Sequence, residues 1–176
     1  MIFGLGANVG QPEVQLRWAI RELVPKFGPL EVAPLYRSAP ISPVAQADFL
    51  NTVVTAAVPA LEPWQVLAKV QELERRAGRR PGVRYGPRPL DIDLLLFGGR
   101  CLKDPELELP HPRIRERRFV LAPLADLMPD LRLPGDERTV RDWLVQLGES
   151  QEVERLSWSE PPTTTATNDG ERIGMA

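Results

Sequence analysis

Two aspartates interrupt an apolar run, and their spacing is the first sign of chemistry in this chain. Residues 90–97 have the length and composition of a buried strand, which Gly98 and Gly99 end. Alternate side chains of a strand share a face, so Asp91 and Asp93 point to the same side with Cα atoms roughly 6.6 Å apart. Asp is a poor strand former and two like charges repel. A divalent cation with oxygen ligands would offset that cost.

An arginine-rich segment comes directly before the two aspartates. Residues 75–90 contain six arginines and no acidic residue. Taken alone, an Asp-x-Asp pair is more often a solvated strand face, and an arginine run a solvated loop. Together they favour a site for a metal–polyphosphate substrate, because Mg²⁺ is usually held by one or two carboxylates plus phosphate oxygens, and arginine binds phosphate. The loop 79–89 has two glycines and three prolines, which indicates a mobile lid.

The elements that must position these residues follow an alternating order. The sequence predicts strands over 1–5, 30–37, 49–58 and 90–97, with helices that begin at Pro12 and Pro63 after the first and third strands. This β-α-β-β-α-β order predicts an α+β, ferredoxin-like core with an added hairpin that turns at 97–100 and with C-terminal helices. Thr139 and Asp142 predict the cap of the last helix. We predict a catalytic domain over 1–158 and a disordered tail over 159–176.

Composition narrows the class of protein. The chain has 176 residues, of which 43% are hydrophobic and 26% charged, as in a globular domain. The net charge of −2 excludes an overall basic surface for nucleic acid. Cys101 is the single cysteine, so neither a disulfide framework nor a cysteine metal site is expected. No apolar run approaches 18 residues, so we expect no membrane association and a cytoplasmic location.

A longer motif around the aspartates closely resembles the signature of a known family. That family is 6-hydroxymethyl-7,8-dihydropterin pyrophosphokinase, the folate-pathway enzyme that moves a pyrophosphoryl group from ATP to a pterin alcohol. The matching residues are Arg84, Tyr85, Gly86, Pro87, Arg88, Asp91, Asp93, Leu94 and Leu95. Further similar segments occur in the same order at 36–41, 48–51, 110–111 and 117–119, and the resemblance extends from about residue 2 to about residue 144.

The resemblance implies a role for each matched residue. Asp91 and Asp93 would hold two Mg²⁺ ions, and Arg79 and Arg88 would stabilise charge on the transferring group. The residues implied in ATP binding are Gln71, Glu74, Arg88, Leu94, His111 and Arg117. The residues implied in pterin binding are Ser38, Pro40, Ile41, Phe49, Asn51, Tyr85 and Phe119. A flat bicyclic ring suits such a pocket, because its faces need aromatic neighbours and its edge a few polar partners.

Some of these residues also have a structural interpretation. Taken alone, Gln71 and Glu74 would be a solvated helix face, and a lone histidine such as His111 is more often structural. Asn51 either satisfies a neighbouring backbone group or contacts a polar heterocycle.

The sequence departs from the family pattern at several positions. Tyr85 stands where many members have Trp, and Pro81 stands where a basic residue is common in a loop that here is one residue shorter. Glu106 and Glu108 occupy a stretch that often carries Arg and Thr, and Pro112 replaces a polar or aromatic residue. These changes bear on pterin stacking, lid closure and nucleotide contacts.

We expect ATP and pterin as substrates, Mg²⁺ as cofactor, no nucleic-acid partner, and a monomer. Two alternatives remain open at this point. One is another Mg-ATP-dependent transferase that shares only the carboxylate pair, and it predicts ATP turnover without pterin. The other is a non-enzymatic ferredoxin-like RNA-binding or regulatory module that uses the arginine loop as a basic patch. The paired aspartates argue against this module, since phosphate-led binding needs positive charge.

Overall fold

The computed structural model describes residues 1–41, 44–80 and 86–166. In chain order its main elements are β1 (Ile2–Ala7), α1 (Pro12–Phe27), β2 (Leu30–Val32), β3 (Leu35–Ser38), β4 (Phe49–Ala56), α2 (Pro63–Arg76), β5 (Asp91–Leu96), β6 (Leu102–Lys103), β7 (Glu108–Leu109), a 3-10 helix (Ile114–Glu116), α3 (Arg118–Leu127), α4 (Val140–Leu147) and β8 (Val153–Leu156). None of the helices in these ranges has the length and apolar character that a membrane span requires.

Six of the eight strands given above form one sheet in the order β5-β1-β4-β3-β8, with β2 also paired to β4, and β6 and β7 form a separate pair. Each of these pairings is antiparallel. β1 lies between β4 and the edge strand β5, so the first strand of the chain adjoins the strand that carries the two aspartates. With α1 after β1 and α2 after β4, this order confirms the predicted α+β, ferredoxin-like core.

The two faces of the sheet pack against different helices. On one face, α1 and α2 bury an apolar core that includes Phe3, Leu16 and Leu73. On the other face, α3 and α4 pack over a second core that includes Leu95 and Leu121. Burial of these side chains supplies the main stabilisation of the fold, at about 25 cal/mol for each Å² of apolar surface. The second face also borders the candidate site.

A proline divides the strand that was predicted over 30–37. The structure has β2 and β3 instead, and both pair with β4. Pro34 lies between them and has no N–H to donate to a ladder. The neighbouring Ala33 carbonyl accepts hydrogen bonds from Thr52 Oγ1 and Trp158 Nε1, each at 3.0 Å. The interruption therefore lets residues from two other parts of the chain contact this strand.

The side of the sheet to which each side chain of β5 points is as predicted at Asp91 and Asp93, but not at the end of the strand. Leu90, Ile92 and Leu94 pack in the α1–α2 core, whereas Asp91 and Asp93 line a cavity on the opposite face. The sequence predicts Leu96 on the same side as Leu94, but Leu96 packs in the α3–α4 core. The reason is a register shift between β1 and β5 at this end, which alternation along one strand cannot reveal.

The predicted hairpin is present, but its two strands do not flank the predicted turn. A turn occurs at 97–100 as predicted, with the Arg100 N–H donating to the Phe97 carbonyl at 3.1 Å. The two strands of the hairpin, however, are β6 and β7, which pair with each other beyond this turn. The cap predicted for α4 is confirmed, since Thr139 Oγ1 accepts from the Asp142 N–H at 3.2 Å.

The C-terminal part of the described chain runs back over α1. The Ser159 N–H donates to Glu13 Oε1 at 2.7 Å, and the Thr164 carbonyl accepts from the Leu30 N–H at 2.9 Å. The boundary at 158 and the disordered tail stay predictions, and residues 167–176 lie outside the described residues.

Candidate active site

A cavity of about 370 Å³ opens beside the exposed end of β5, on the α3 side of the sheet. Gly4 and Gly6 of β1 lie at its floor, where a Cβ on Gly6 would come within 3.1 Å of Asn51 Oδ1. The predicted site residues that line it are Ser38, Pro40, Ile41, Phe49, Asn51, Arg88, Asp91, Asp93, Arg117 and Phe119. The fold thus brings charged residues on and near β5 together with residues of β3, β4 and α3, some of which are aromatic.

Asp91 accepts hydrogen bonds from two predicted catalytic arginines. Its Oδ1 lies 2.8 Å from Arg79 Nη1 and 2.5 Å from Arg88 Nη1. Arg79 lies three residues after the end of α2, and Arg88 lies three residues before the start of β5. Two guanidinium groups on one carboxylate oxygen place two positive charges beside this end of the cavity, and such groups can bind phosphate.

Glu74 on α2 contacts Arg79, one of these two arginines. Its side chain is buried, with 7% exposure for the residue. Oε1 accepts the Ile92 N–H at 2.8 Å and also contacts Arg79 Nη1. Burial raises the pKa of Glu74 to about 7, although the bond from Ile92 and the charge of Arg79 oppose the shift. Glu74 therefore positions Arg79 and anchors the start of β5.

Asp93 has a separate set of cationic or polar neighbours. Its Oδ2 lies 3.1 Å from Arg117 Nη1 and 3.9 Å from His111 Nε2. The Arg117 guanidinium carbon also stands 5.5 Å from the centre of the Phe119 ring. Burial lowers the pKa of Arg117, although Asp93 opposes the shift. Arg117 thus links the carboxylate half of the cavity to its aromatic half.

The hydrogen bonds of His111 define which ring nitrogen carries its proton. Nδ1 accepts the Arg113 N–H at 3.2 Å, so the proton of the neutral ring lies on Nε2. Burial lowers the pKa of His111 below its ordinary value of 6.5, which leaves the imidazole neutral at pH 7. His111 therefore presents the N–H of Nε2 toward Asp93 Oδ2, 3.9 Å away.

The two aspartates fit the predicted Mg²⁺ site. Both carboxylates line the same cavity on the same strand. Within the described ranges no group of three or more His, Cys, Asp or Glu side chains has a metal-binding arrangement. Two carboxylates without further protein ligands are typical of Mg²⁺ sites in which substrate phosphate and water complete an octahedron. The donor chemistry of Asp91 and Asp93 therefore suits a metal that arrives with a polyphosphate.

The other half of the cavity has the character predicted for a pterin pocket. Asn51 is buried, and its Nδ2 donates to Ser38 Oγ at 3.0 Å and to the Tyr36 carbonyl at 3.3 Å. Phe49 and Phe119 supply aromatic surface. Both interpretations of Asn51 thus have support, since its amide satisfies a neighbouring backbone carbonyl and the residue lines the cavity.

Asn8 contacts two segments of the site, a role that was not predicted from the sequence. It is buried, and its Oδ1 accepts the Arg88 N–H at 2.8 Å. Its Nδ2 donates to Gln46 Oε1 at 2.9 Å and to the Ala47 carbonyl at 3.0 Å. Asn8 therefore joins the Arg88 segment to the loop after β3. The available signal was an asparagine in a glycine-flanked turn, a residue type that often bonds nearby backbone.

Several predicted residues lie away from the cavity lining. Gln71 is exposed on α2, and Leu94 is buried in the α1–α2 core. Glu74, Arg79 and His111 are not part of the cavity lining and reach the site only through the contacts described above. Tyr85 and Pro81 lie outside the described residues, so pterin stacking by Tyr85 stays a prediction.

Comparison with known proteins gives one consistent family. Residues 2–129 match the family model described as 7,8-dihydro-6-hydroxymethylpterin-pyrophosphokinase. A 2-amino-4-hydroxy-6-hydroxymethyldihydropteridine pyrophosphokinase of Pseudomonas aeruginosa is 44% identical over 132 residues, which cover 74% of this chain and 81% of that relative. The Bacillus subtilis protein of the same name is 36% identical over 151 residues, covering 82% of this chain and 90% of the relative.

Longer proteins contain a similar segment. The mitochondrial folate synthesis bifunctional protein of Arabidopsis thaliana is 39% identical over 146 residues, and this chain spans only 25% of its length. A crystal structure of wild-type HPPK-DHPS from Plasmodium falciparum has a TM-score of 0.64 at 15% identity, covering 82% of this chain and 43% of that one. At that identity the structural match supports the fold alone.

Proposed function

This chain belongs to the 7,8-dihydro-6-hydroxymethylpterin-pyrophosphokinase family, and on that premise we propose how its cavity carries out the reaction. The protein is an enzyme of folate biosynthesis, 2-amino-4-hydroxy-6-hydroxymethyldihydropteridine pyrophosphokinase in activity. It transfers pyrophosphate from ATP to 6-hydroxymethyl-7,8-dihydropterin and gives AMP and the pterin diphosphate. One observation carries the proposed mechanism: Asp91, Asp93, Arg88 and Arg117 line a single cavity with Asn51, Phe49 and Phe119, and Arg79 contacts Asp91.

We assign the metal site to Asp91 and Asp93, with two Mg²⁺ ions as the proposed number. Bound there, Mg²⁺ would neutralise the triphosphate and polarise the phosphoryl oxygens. Both carboxylates contact arginines in the structure, so bound metal ions would replace one set of cations by another. Arg79 and Arg88 would then be free to donate to the transferring phosphates instead of Asp91.

The arginines and His111 would stabilise charge as it develops on the transferring group. Arg88 and Arg117 already line the cavity, and each has a guanidinium that can donate two parallel hydrogen bonds to phosphate. His111 adds a neutral N–H donor from Nε2. Phosphoryl transfer depends mainly on positioning and on such electrostatic stabilisation, so these donors account for the chemistry without a dedicated protein base.

The aromatic half of the cavity would bind the pterin. Phe49 and Phe119 can contact the faces of the ring, while Asn51 and Ser38 can contact its polar edge. The proposed pterin therefore lies between β4 and the start of α3, with its hydroxymethyl group directed toward Asp91 and Asp93. Gln71 and Leu94 stay proposed ATP contacts.

We also propose that the enzyme acts as a monomer in the cytoplasm and needs no nucleic-acid partner. The net charge of −2 supports the last point, and the single exposed Cys101 suits a reducing compartment.

Product analysis tests the proposed function. Protein, ATP, Mg²⁺ and 6-hydroxymethyl-7,8-dihydropterin should yield AMP and the pterin diphosphate in equal amounts, and EDTA should abolish both. ADP in place of AMP would contradict pyrophosphoryl transfer. Release of AMP at the same rate without pterin would instead indicate a different Mg-ATP-dependent transferase.

A further inference from the structure

We propose that Gln151 is a positioning residue of the active site, which holds Arg117 in the conformation that reaches Asp93 and Phe119. Gln151 lies beyond residues 2–129, the segment that matches the family model. The inference rests on the proposed function for its kinetic consequences, but the contact itself is a property of the ligand-free protein.

The side-chain amide of Gln151 binds the backbone on both sides of Arg117. Nε2 donates to the Glu116 carbonyl at 2.6 Å, and Oε1 accepts the Arg118 N–H at 3.0 Å. A residue in a parallel strand makes this same pair of bonds to the two neighbours of the residue it faces. The amide of Gln151 therefore replaces one residue of a parallel strand opposite Arg117.

This pairing explains the backbone of Arg117. The residue separates the 3-10 helix from α3 and has an extended conformation, with φ −116° and ψ 105°. It is neither in a helix nor in a β-ladder, so its flanking backbone groups need other partners. With the Glu116 carbonyl and the Arg118 N–H both bound by Gln151, the Arg117 side chain is directed into the cavity, where Nη1 lies 3.1 Å from Asp93 Oδ2.

A second contact fixes the segment that carries Gln151. Arg118 Nη1 donates to the Gly148 carbonyl, so residues 116–118 and 148–151 are joined at three points. Immediately after Gln151, β8 pairs with β3, and Val153 stands opposite Ser38. The segment thus connects the start of α3 to the strand that bears a proposed pterin contact. Gln151 itself lines the cavity.

Replacement of Gln151 by methionine tests the proposal, because methionine keeps the length of the side chain and removes both hydrogen bonds. We expect kcat for AMP formation to fall about tenfold, within the range that misplacement of a catalytic group can cause. The melting temperature should change by only a few degrees. The matched control is Glu152→Ala, which alters an exposed neighbour in the same loop and should keep the parent kcat.

A double-mutant cycle with Arg117→Ala separates a positioning role from a general structural one. If Gln151 acts through Arg117, then Gln151→Met should slow the Arg117→Ala enzyme by less than twofold. A full tenfold loss in both backgrounds would overturn the proposal, since Gln151 would then act by another route.

A spectroscopic measurement decides the same point without any turnover. In ligand-free protein labelled with ¹⁵N, the guanidinium signal of Arg117, assigned by its loss in Arg117→Ala, should shift or broaden in Gln151→Met and stay unchanged in Glu152→Ala. An unchanged Arg117 signal in Gln151→Met would refute the positioning role, whether or not the wild-type protein makes AMP. Failure of the wild-type AMP assay alone would refute the proposed function and leave this result to stand by itself.

Discussion

Two arginines contact the Asp91 carboxylate in the ligand-free protein, and their positive charges stabilise its ionised form. Arg79 and Arg88 both contact Oδ1, and Arg79 is also shared with Glu74. The cations offset the repulsion between two carboxylates on one strand face. If Asp91 holds Mg²⁺ as proposed, these guanidinium groups would become available for phosphate. The same arginines would then balance the charge of Asp91 before substrate binds and stabilise phosphate charge afterwards.

Replacement of Arg88 by alanine should affect turnover more than pterin binding. Its guanidinium lies at the carboxylate half of the cavity, 2.5 Å from Asp91 Oδ1. We expect kcat to fall about a hundredfold, as for removal of a donor that stabilises transition-state charge, while the KM for pterin changes less than threefold. Steady-state kinetics would measure both. Arg75→Ala, at an exposed arginine paired with Glu72 on α2, is the control.

An unchanged kcat with a raised pterin KM in Arg88→Ala would contradict this prediction. Arg88 would then contribute to pterin binding and not to the transfer step.

Glu74 predicts a stability that depends on pH. Its pKa in the folded protein is raised to about 7 from an ordinary value of 4.5, chiefly by burial. The unfolded chain therefore loses this proton first as pH rises, and stability should fall between about pH 4.5 and 7 and then level off. The full shift corresponds to roughly 3 kcal/mol.

Glu74→Gln removes this ionisation and keeps an acceptor for the Ile92 N–H. In EDTA, urea unfolding from pH 5 to pH 8 should show a smaller loss of stability for Glu74→Gln than for the parent. Glu72→Gln, at an exposed position on the same helix, should follow the parent curve. Identical pH dependence of the parent and Glu74→Gln would mean that Glu74 ionises in the folded protein as it does in water.

The location of single residues was predictable where a motif is continuous in sequence, and not where a contact crosses the chain. The aspartate pair and the arginines close to it could be interpreted from spacing alone. Glu74, in contrast, bonds to the Ile92 backbone, and Asn8 bonds to the backbone of Arg88, 80 residues away. Nothing local in the sequence encodes which backbone group a buried polar side chain will meet.

Elements were predicted well where one periodicity holds along their whole length. The helices began at Pro12 and Pro63, and the Thr139 cap opened α4 as expected. The differences occur where pairing between strands decides the outcome. The register shift that moves Leu96 to the other core depends on β1, and the contacts of the Ala33 carbonyl depend on β4 and on Trp158.

Asn8 couples two elements of the site, and its replacement by alanine should show this coupling. The change removes three hydrogen bonds from a buried side chain, so we expect a loss of about 2 kcal/mol in the free energy of unfolding. Because the loop that includes Pro40 and Ile41 loses an anchor, the KM for pterin should also rise several-fold. Gln11→Ala, at an exposed position shortly after Asn8, should change stability by less than about 0.5 kcal/mol.

Urea unfolding and steady-state kinetics measure the two effects of Asn8→Ala separately. A lowered stability with an unchanged pterin KM would show that Asn8 supports the fold but does not position the pterin loop.

At the scale of the whole molecule, the cavity depends on parts of the chain from both ends. β1 supplies its floor, β5 its carboxylates, and residues 148–156 connect α3 to β3. The family resemblance accounts for the carboxylates, whereas the contributions of β1 and of the C-terminal residues were not predicted from the sequence. Residues 159–164 contact α1 and β2 through one backbone hydrogen bond, from the Leu30 N–H to the Thr164 carbonyl, and through the contacts of Ser159 with Glu13 and of Glu160 with Arg17.

The central claim is that Asp91 and Asp93 hold metal for the chemistry and are not there to support the fold. Turnover of the Asp93→Asn enzyme to AMP at saturating Mg²⁺ tests it most directly. Asn keeps the shape and removes the charge. In the ligand-free protein it gives up a partly exposed pair with Arg117, worth less than about 1 kcal/mol, so the melting temperature in EDTA should shift by only a few degrees.

We predict that AMP formation by Asp93→Asn falls at least about a hundredfold, because the loss of a metal-binding carboxylate removes stabilisation of the transferring phosphates. Asp130→Asn, at an exposed aspartate paired with Arg141, should retain the parent rate. If the Asp93→Asn enzyme makes AMP at the parent rate while its melting temperature in EDTA drops sharply, then Asp93 supports the fold and the account is wrong.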